Sequence, residues 1–380
     1  MSKTRRFAFV SPNYFPRTCG VGDHSMRIGQ ELMRRGHEVT VFSRAPVQPN
    51  PEGAEVPAEA IEGPTPMVIA ERLRRRLQEL RPTELVIQYT SQMLGASRFG
   101  SLAMPWLAAA ARFEGVNVVV LAHELFLPVK SRPDLAVGAA TTRAQLALLM
   151  KLANRTIVTM GTRVAELAPI TGALKLPPPG VVPIAPNALP VPATHVPGRL
   201  RLGIFSTLAS TKKFDVVLDC FEAVHRRWPH AELVVLGDLG DPASARVAAL
   251  HAAIAKHPGA SRIRVSGRLD LPAVAREVAE LDIYLFPMIS GANTRSGTLP
   301  LALGSGVPVV TIHGYETDDV FVNEENILFA RALTGEAFAE AVFRLLDDAP
   351  LRGRLSQGGV RLYEDYMSWP KTTDLFLSLI

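Results

Sequence analysis

Residues 286–311, FPMISGANTRSGTLPLALGSGVPVVT, gather Gly291, Asn293, Thr294, Arg295, Ser296, Gly297 and Thr298 into one small-residue polar loop. An apolar strand precedes the loop, and a short apolar helix and a second strand, 307–312, follow it. Pro300 stands where a first-turn proline belongs, and Ser296 or Thr298 can cap the helix ahead of it. A helix start offers unpaired N–H groups and a partial positive charge, so with Arg295 beside it the loop is suited to an anion. The plainer alternative is an ordinary strand-to-helix turn, since Ser, Thr and Gly collect at caps in any case.

Other residues point to related chemistry. The segment TLASTKKFD, residues 207–215, joins a strand to a helix, and a lysine at that helix start can serve as a point charge for phosphate. The helix dipole disfavours lysine there, which argues for a use beyond helix formation. His123 and Glu124 follow directly after an apolar strand, and His123 is the best placed of the nine histidines for chemistry. A structural histidine at a strand end is the competing explanation. The loop 313–319, HGYETDD, also begins at a strand end. Gly20-Val-Gly22-Asp-His-Ser25 is similar to a dinucleotide fingerprint, but eight residues separate it from the first strand. The second strand closes on Val41-Phe-Ser-Arg44 without the acidic residue a ribose requires, so NAD binding is disfavoured. There is no H-E-x-x-H spacing and no D-x-D.

These residues need elements to hold them. Strands are expected at 7–11, 39–43, 85–89, 116–122, 156–160 and 181–184, with helices near 22–35, 67–80, 102–113, 139–152 and 162–168. A proline-rich run, 176–198, interrupts the alternation and reads as mostly linker. The alternation resumes with strands at 201–206, 233–236, 263–266, 283–286, 307–312 and 327–330. Helices fall near 213–227, 242–257, 272–280, 298–304, 335–347 and 351–362. Near-continuous Val/Ile/Leu strands separated by helices mean parallel sheets covered on both faces. The expected architecture is α/β: two doubly wound, Rossmann-like domains, 1–190 and 199–365, facing across a cleft. A linker at 191–198 joins them, and a final helix within 366–380 packs back on the first.

The 380 residues are 47% hydrophobic and 20% charged, enough for two cored domains, and no apolar run suffices for a spanning helix. Cys19 and Cys220 are too few for a disulfide framework or a Cys-based metal site, and a cytoplasmic location is expected. The formal charge of +5 is uneven: residues 1–190 carry 22 Lys+Arg against 14 Asp+Glu (+8), and the remainder 19 against 22 (−3). A basic N-terminal half leaves open a peripheral contact with the inner face of a membrane. The densest cluster, Arg72, Arg74, Arg75, Arg76 and Arg81, shares a helix with an apolar stripe of Ile69, Leu73, Leu77 and Leu80, as the solvated face of an amphipathic helix would.

Taken together, these segments resemble the GT-B fold glycosyltransferases, most closely glycosyltransferase family 4, over nearly the whole chain. The resemblance is carried by PRTCGVGDHSMRIGQELMRRGHEVTVFS, LAHELFLP, LVVLGDLG, GSGVPVVT and ETDDVFVNEENILFA, with Trp369 fitting the final crossing helix. It implies transfer of a sugar from a nucleotide-diphosphate donor, with UDP-sugar expected, to an acceptor hydroxyl, with retention, and with neither cofactor nor metal. Lys213 would hold the place of the family's G-R-x4-K-G lysine, while its arginine falls at Leu208. The family's E-x7-E glutamates fall at Asn293 and Leu301, a departure similar to a sub-group in which R-x-G-[ST] replaces them. The resemblance assigns catalytic roles to His123, Lys213 and Arg295. Gly22, Thr207, Gly291, Asn293, Thr294, Ser296, Gly297 and Thr298 would join Lys213 and Arg295 in holding the donor. Asn13, Tyr14, Gly20 and Glu124 would shape the acceptor side. The acceptor stays open among saccharides, lipid-linked acceptors and small molecules; no nucleic acid is expected. Two further readings remain: a non-catalytic nucleotide-sugar-binding or partner-binding subunit, and an epimerase or phosphorylase on the same fold.

Overall fold

A computed structural model describes residues 4–17, 19–44, 46–48, 56–93, 101–127, 133–205, 212–241 and 243–380. The chain divides into two compact units, Met1–Pro183 with Thr372–Ile380, and Ile184–Lys371.

Among its described residues the first unit holds seven strands: β1 Arg6–Val10, β2 Glu38–Ser43, β3 Ala58–Ala60, β4 Glu84–Tyr89, β5 Asn117–Ala122, β6 Arg155–Val158 and β7 Gly180–Val181. They form one parallel sheet in the order β3-β2-β1-β4-β5-β6-β7. The helices are α1 Gly20–Arg34, α2 Pro66–Leu80, α3 Ala103–Phe113, α4 Pro133–Leu152 and α5 Thr162–Leu174. Leu85, Val86 and Ile87 on β4 and Val118 to Leu121 on β5 are fully buried, as strands covered on both faces must be. Local signals set the helix ends. Thr65 Oγ1 accepts from Val68 N at 3.3 Å, Pro66 opens the first turn of α2, and Arg81 closes it in a left-handed conformation.

The second unit contains β8 Arg201–Phe205, β9 Glu232–Leu236, β10 Ile263–Val265, β11 Ile283–Leu285, β12 Val309–Ile312 and β13 Leu328–Ala330. Their order is β10-β9-β8-β11-β12-β13, again all parallel. Its helices are α6 Phe214–Arg227, α7 Ala245–Lys256, α8 Leu271–Ala279, α9 Leu299–Ser305, α10 Gly335–Asp347 and α11 Ala349–Leu362. A π-helical turn, Tyr363–Met367, leads into α12 Trp369–Leu379. In each sheet the order reverses beside its first strand, at β1/β4 and at β8/β11. That reversal opens a crevice at the strands' carboxyl ends, where ligands bind in such sheets.

The expected alternation of elements is present, with four differences. β3, an Ala-Glu-Ala edge strand, carries no apolar run to announce it. α4 starts at Pro133, earlier than 139, because proline suits the first turn of a helix. α5 continues past 168 through Pro169 to Leu174, the helix forgoing one backbone bond there. The run 191–198, expected as linker, is tied to the second unit: Ala193 N donates to Ser305 O and Thr194 N to Ala279 O, both at 2.8 Å. The division of the chain falls earlier, after Pro183.

The final segment returns to the first unit. Phe376 is fully buried, with its ring 6.2 Å from Phe7 of β1, and Asp374 pairs with Arg35 at 2.6 Å. The preceding Trp369 stays with the second unit, donating its Nε1–H to Pro186 O at 2.8 Å.

Candidate active site

At the β8/β11 reversal two stretches of backbone are clamped together. Lys213 N donates to Pro287 O at 3.0 Å, and Lys212 forms an antiparallel bridge with Met288. The start of α6 therefore lies against the loop that follows β11. The two adjacent lysines then diverge. Lys213 is the N-cap residue of α6. Lys212 is the one drawn in: its Nζ donates to Phe205 O at 2.9 Å, at the end of β8, and lies 5.5 Å from the centre of the Phe286 ring. Burial pushes the Lys212 amine down to about 8, so it is still mainly cationic at neutral pH. Sequence reasoning singled out Lys213. The burial of Lys212 follows from the bridge to Met288, which adjacent lysines do not reveal.

The loop 288–298 has a buried half and an accessible half. Gly291, Ala292, Asn293 and Thr294 are buried, whereas Arg295, Ser296, Gly297 and Thr298 are partly exposed. Thr294 gives both its N–H and its hydroxyl to Asp318 Oδ2, at 2.8 and 2.7 Å. Asn293 Nδ2 reaches Ser290 Oγ at 3.5 Å. The loop 313–318 completes the clamp, with Glu316 N on Ser290 O and Asp318 N on Ala292 O, at 2.9 and 3.1 Å. Gly291 has φ +85, and a Cβ there would lie 2.1 Å from Thr317 Oγ1 and 2.5 Å from Gly314 N. Asp318 is buried and is the residue sequence reasoning left without a role, although its loop was noted at a strand end and within the segment ETDDVFVNEENILFA. Neither Ser296 nor Thr298 caps α9 through its side chain. Their hydroxyls lie 3.2 Å apart, and Thr298 also bonds the Tyr284 hydroxyl. With seven residues, α9 has only a short dipole. Leu301, at the second glutamate's place, is 1% exposed and part of the core. Thr207 and Leu208 lie outside the described residues, as do residues 94–100 and 128–132.

In the first unit, Gly22 is the glycine its turn requires, since a Cβ there would stand 2.6 Å from Asn13 O. Around Gly20 there is open space. Asn13 is half-buried and accepts from Arg17 Nη1 at 3.3 Å through Oδ1. Tyr14 is 2% exposed; burial, aided by Asp23, pushes its hydroxyl up to about 12, and that hydroxyl has no partner among the described residues. His123 follows β5 and donates its backbone N–H to Tyr89 O at 3.0 Å, while Glu124 beside it is exposed. His123 Nε2 lies 2.5 Å from Gln88 Oε1. Gln88 Nε2 lies 3.4 Å from Nδ1 of the buried His24. Burial pushes His24 down to about 4, which keeps it neutral at physiological pH.

Two parallel α/β sheets of this order define the GT-B class, and comparison with solved structures agrees. A sucrose-phosphate synthase from Thermosynechococcus elongatus superposes with TM-score 0.74 at 15% identity, covering 99% of this chain and 98% of that one. HepE of Anabaena, in complex with UDP and glucose, gives 0.74 at 13% identity, covering 98% of each chain. WaaG, a glycosyltransferase involved in lipopolysaccharide biosynthesis, gives 0.65 at 16% identity, covering 97% and 99%. No curated protein matches the chain in sequence. The model of Glycosyltransferase Family 4 matches residues 18–169, and that of Glycosyl transferases group 1 matches 199–348. The chain belongs to glycosyltransferase family 4.

Proposed function

We propose that the enzyme transfers a sugar from a nucleotide-diphosphate sugar, a UDP-sugar foremost, to an acceptor hydroxyl, with retention and without a metal or other cofactor. The observation that carries this is the placement of Lys212 beside the loop 288–298 at the β8/β11 reversal of the second unit. A departing diphosphate there is stabilised by Lys212, with Arg295 and the hydroxyls of Ser296 and Thr298 presented from the loop. Lys213 and Gly297 contribute at the margin, and Gly291, Asn293 and Thr294 act by holding the loop. We assign His123 to the donor sugar, with Gly22 shaping its turn, and Asn13, Tyr14, Gly20 and Glu124 to the acceptor. UDP complexes of the similar HepE support a uridine donor.

Calorimetry against UDP, GDP and dTDP tests this reading. One nucleotide diphosphate binds the wild type, and Arg295→Ala weakens it about tenfold or more, as loss of a charge-assisted contact would. Absence of binding by all three to the wild type ends the proposal. A non-catalytic nucleotide-sugar-binding subunit is the second reading, favoured by Asn293 and the core residue Leu301 in the glutamates' places. Slow hydrolysis of the bound donor without acceptor excludes it; binding without any turnover supports it.

Three arginines of the cluster are balanced by neighbouring carboxylates, which weakens its claim on a membrane surface. Arg74 and Arg75 pair with Glu71, and Arg76 with Glu59 and Glu79. We place the contact on α3, where Leu102 is 65%, Trp106 36% and Phe113 94% exposed, at one helical spacing and beside Arg112. An acidic bilayer fits this apolar, basic-flanked stripe on a unit with excess positive charge. Trp106→Ser with Phe113→Ser then reduces sedimentation with phosphatidylglycerol vesicles several-fold. Wild-type protein that stays in the supernatant, or dimerises through this face instead, overturns the assignment.

A further inference from the structure

The buried side chains of His24 and Gln88 lie in a row with His123, and the transfer reaction as described gives neither of them a role. Gln88 is a fully buried amide on β4, a strand that otherwise reads Glu84-Leu-Val-Ile and then Tyr89. Its Oε1 is 2.5 Å from His123 Nε2, and its Nε2 is 3.4 Å from His24 Nδ1. The two imidazoles meet edge to face, with centroids 5.0 Å apart and planes at 77°. An unpaired buried amide is costly, so the three groups hold one another's orientation.

We infer that Gln88 is a positioning residue that fixes the tautomer of His123 and ties it to the protonation of His24. An amide has one accepting and one donating end, so each neighbour's proton arrangement is dictated. With Oε1 toward His123, that ring carries its proton on Nε2, and in the neutral form its lone pair is on Nδ1. With Nε2 toward His24, that ring must offer a lone pair at Nδ1 and keep its own proton on Nε2. A protonated His24 would set N–H against N–H. The amide then turns over, its Nε2 faces His123, and the neutral His123 takes its proton on Nδ1 instead. One proton at a buried site thereby decides which nitrogen of the strand-end histidine accepts a hydrogen bond.

Among the described residues, two carboxylates adjoin the row in sequence. Asp23 precedes His24 on α1 and bears on Tyr14, and Glu124 follows His123 and bears on the Tyr89 hydroxyl. Burial of His24 disfavours added positive charge there and outweighs the Gln88 hydrogen bond, which favours it. At neutral pH the row therefore rests in the arrangement seen.

The activity arm of the test rests on the assignment of His123 to the donor sugar; the spectroscopic arm does not. Two-bond ¹H–¹⁵N spectra of the full-length, ligand-free protein at pH 7 show both histidines protonated on Nε2. In Gln88→Met, which removes both contacts at similar volume, His123 becomes a mixture of tautomers. In Gln88→Glu, the carboxylate accepts from both rings, and His123 titrates at least one pH unit higher than in the wild type. If turnover is measurable, Gln88→Met lowers kcat about tenfold and leaves the donor KM within twofold, as expected of a group acting through another. His123 protonated on Nδ1 in the wild type, or unchanged tautomers in folded Gln88→Met, overturns the inference. Absence of turnover by the wild type counts against the proposed transfer alone, and the spectra still decide this point.

Discussion

Lys212→Met lowers donor affinity and turnover together, by about 10²–10³-fold, while the melting temperature holds or rises. The two halves of that expectation have separate causes. Methionine keeps an unbranched side chain of similar length beside Phe286, so the core around β8 and β11 loses little. The buried ammonium has a single carbonyl partner, Phe205 O, and no carboxylate pairs with it among the described residues. A charge so placed, on a partly buried residue with one carbonyl partner, adds little to the fold. Binding should also weaken as pH rises through about 8, because burial depresses the amine to that value and only the charged form attracts phosphate. A bound diphosphate raises that value, so the saturated enzyme loses activity at higher pH than the free enzyme. The checks are calorimetry and a melting curve on the same samples. Undiminished nucleotide binding with a lowered melting temperature would make Lys212 structural and remove the main support for the donor site.

Gly291→Ala should destabilise the second unit by roughly 2–5 kcal/mol, from a left-handed backbone worth 1–2 and forced packing worth 1–3. The new methyl would collide with Thr317 Oγ1 at 2.1 Å, which can rotate away, and with Gly314 N at 2.5 Å, which cannot. Gly314 is equally confined, since a Cβ there would lie 2.3 Å from the Ser290 carbonyl carbon. The two loops touch through backbone, and parting them strains the bonds from Asp318 to Thr294. Donor affinity falls with stability, although residue 291 itself is buried. Thermal unfolding reads the first effect as a fall on the order of 5–15 °C. A melting temperature within a degree of wild type would mean that the loops separate without penalty and that the clamp is unimportant.

Much of the architecture was legible because parallel strands covered on both faces must be apolar throughout, and LVVL or NVVVLA can hardly be anything else. The same physics explains what was missed. β3 is an edge strand of Ala-Glu-Ala, held by pairing to β2 and not by apolar content. The helix expected near 162–168 runs on through Pro169, because a single missing N–H does not stop a helix that is otherwise well formed. At the site, the polar loop 288–298 was visible from its composition, whereas its division into a buried half and an accessible half depends on Asp318, far along the chain. The choice between Lys212 and Lys213 turns on one residue of register in an extended segment, where neighbours point to opposite sides. Gln88 was overlooked because it interrupts an apolar strand only once.

The return of Thr372–Ile380 to the first unit has a bearing on how the protein is made. Phe376 covers Phe7 on the earliest strand, yet it leaves the ribosome only after every residue of the second unit. During synthesis Phe7 therefore lacks this one part of its packing until the other half of the chain has been made. A split gene that expresses Met1–Pro183 alone would leave the nascent half in that unfinished condition, and supplying the closing nine-residue peptide in trans offers a way to complete it.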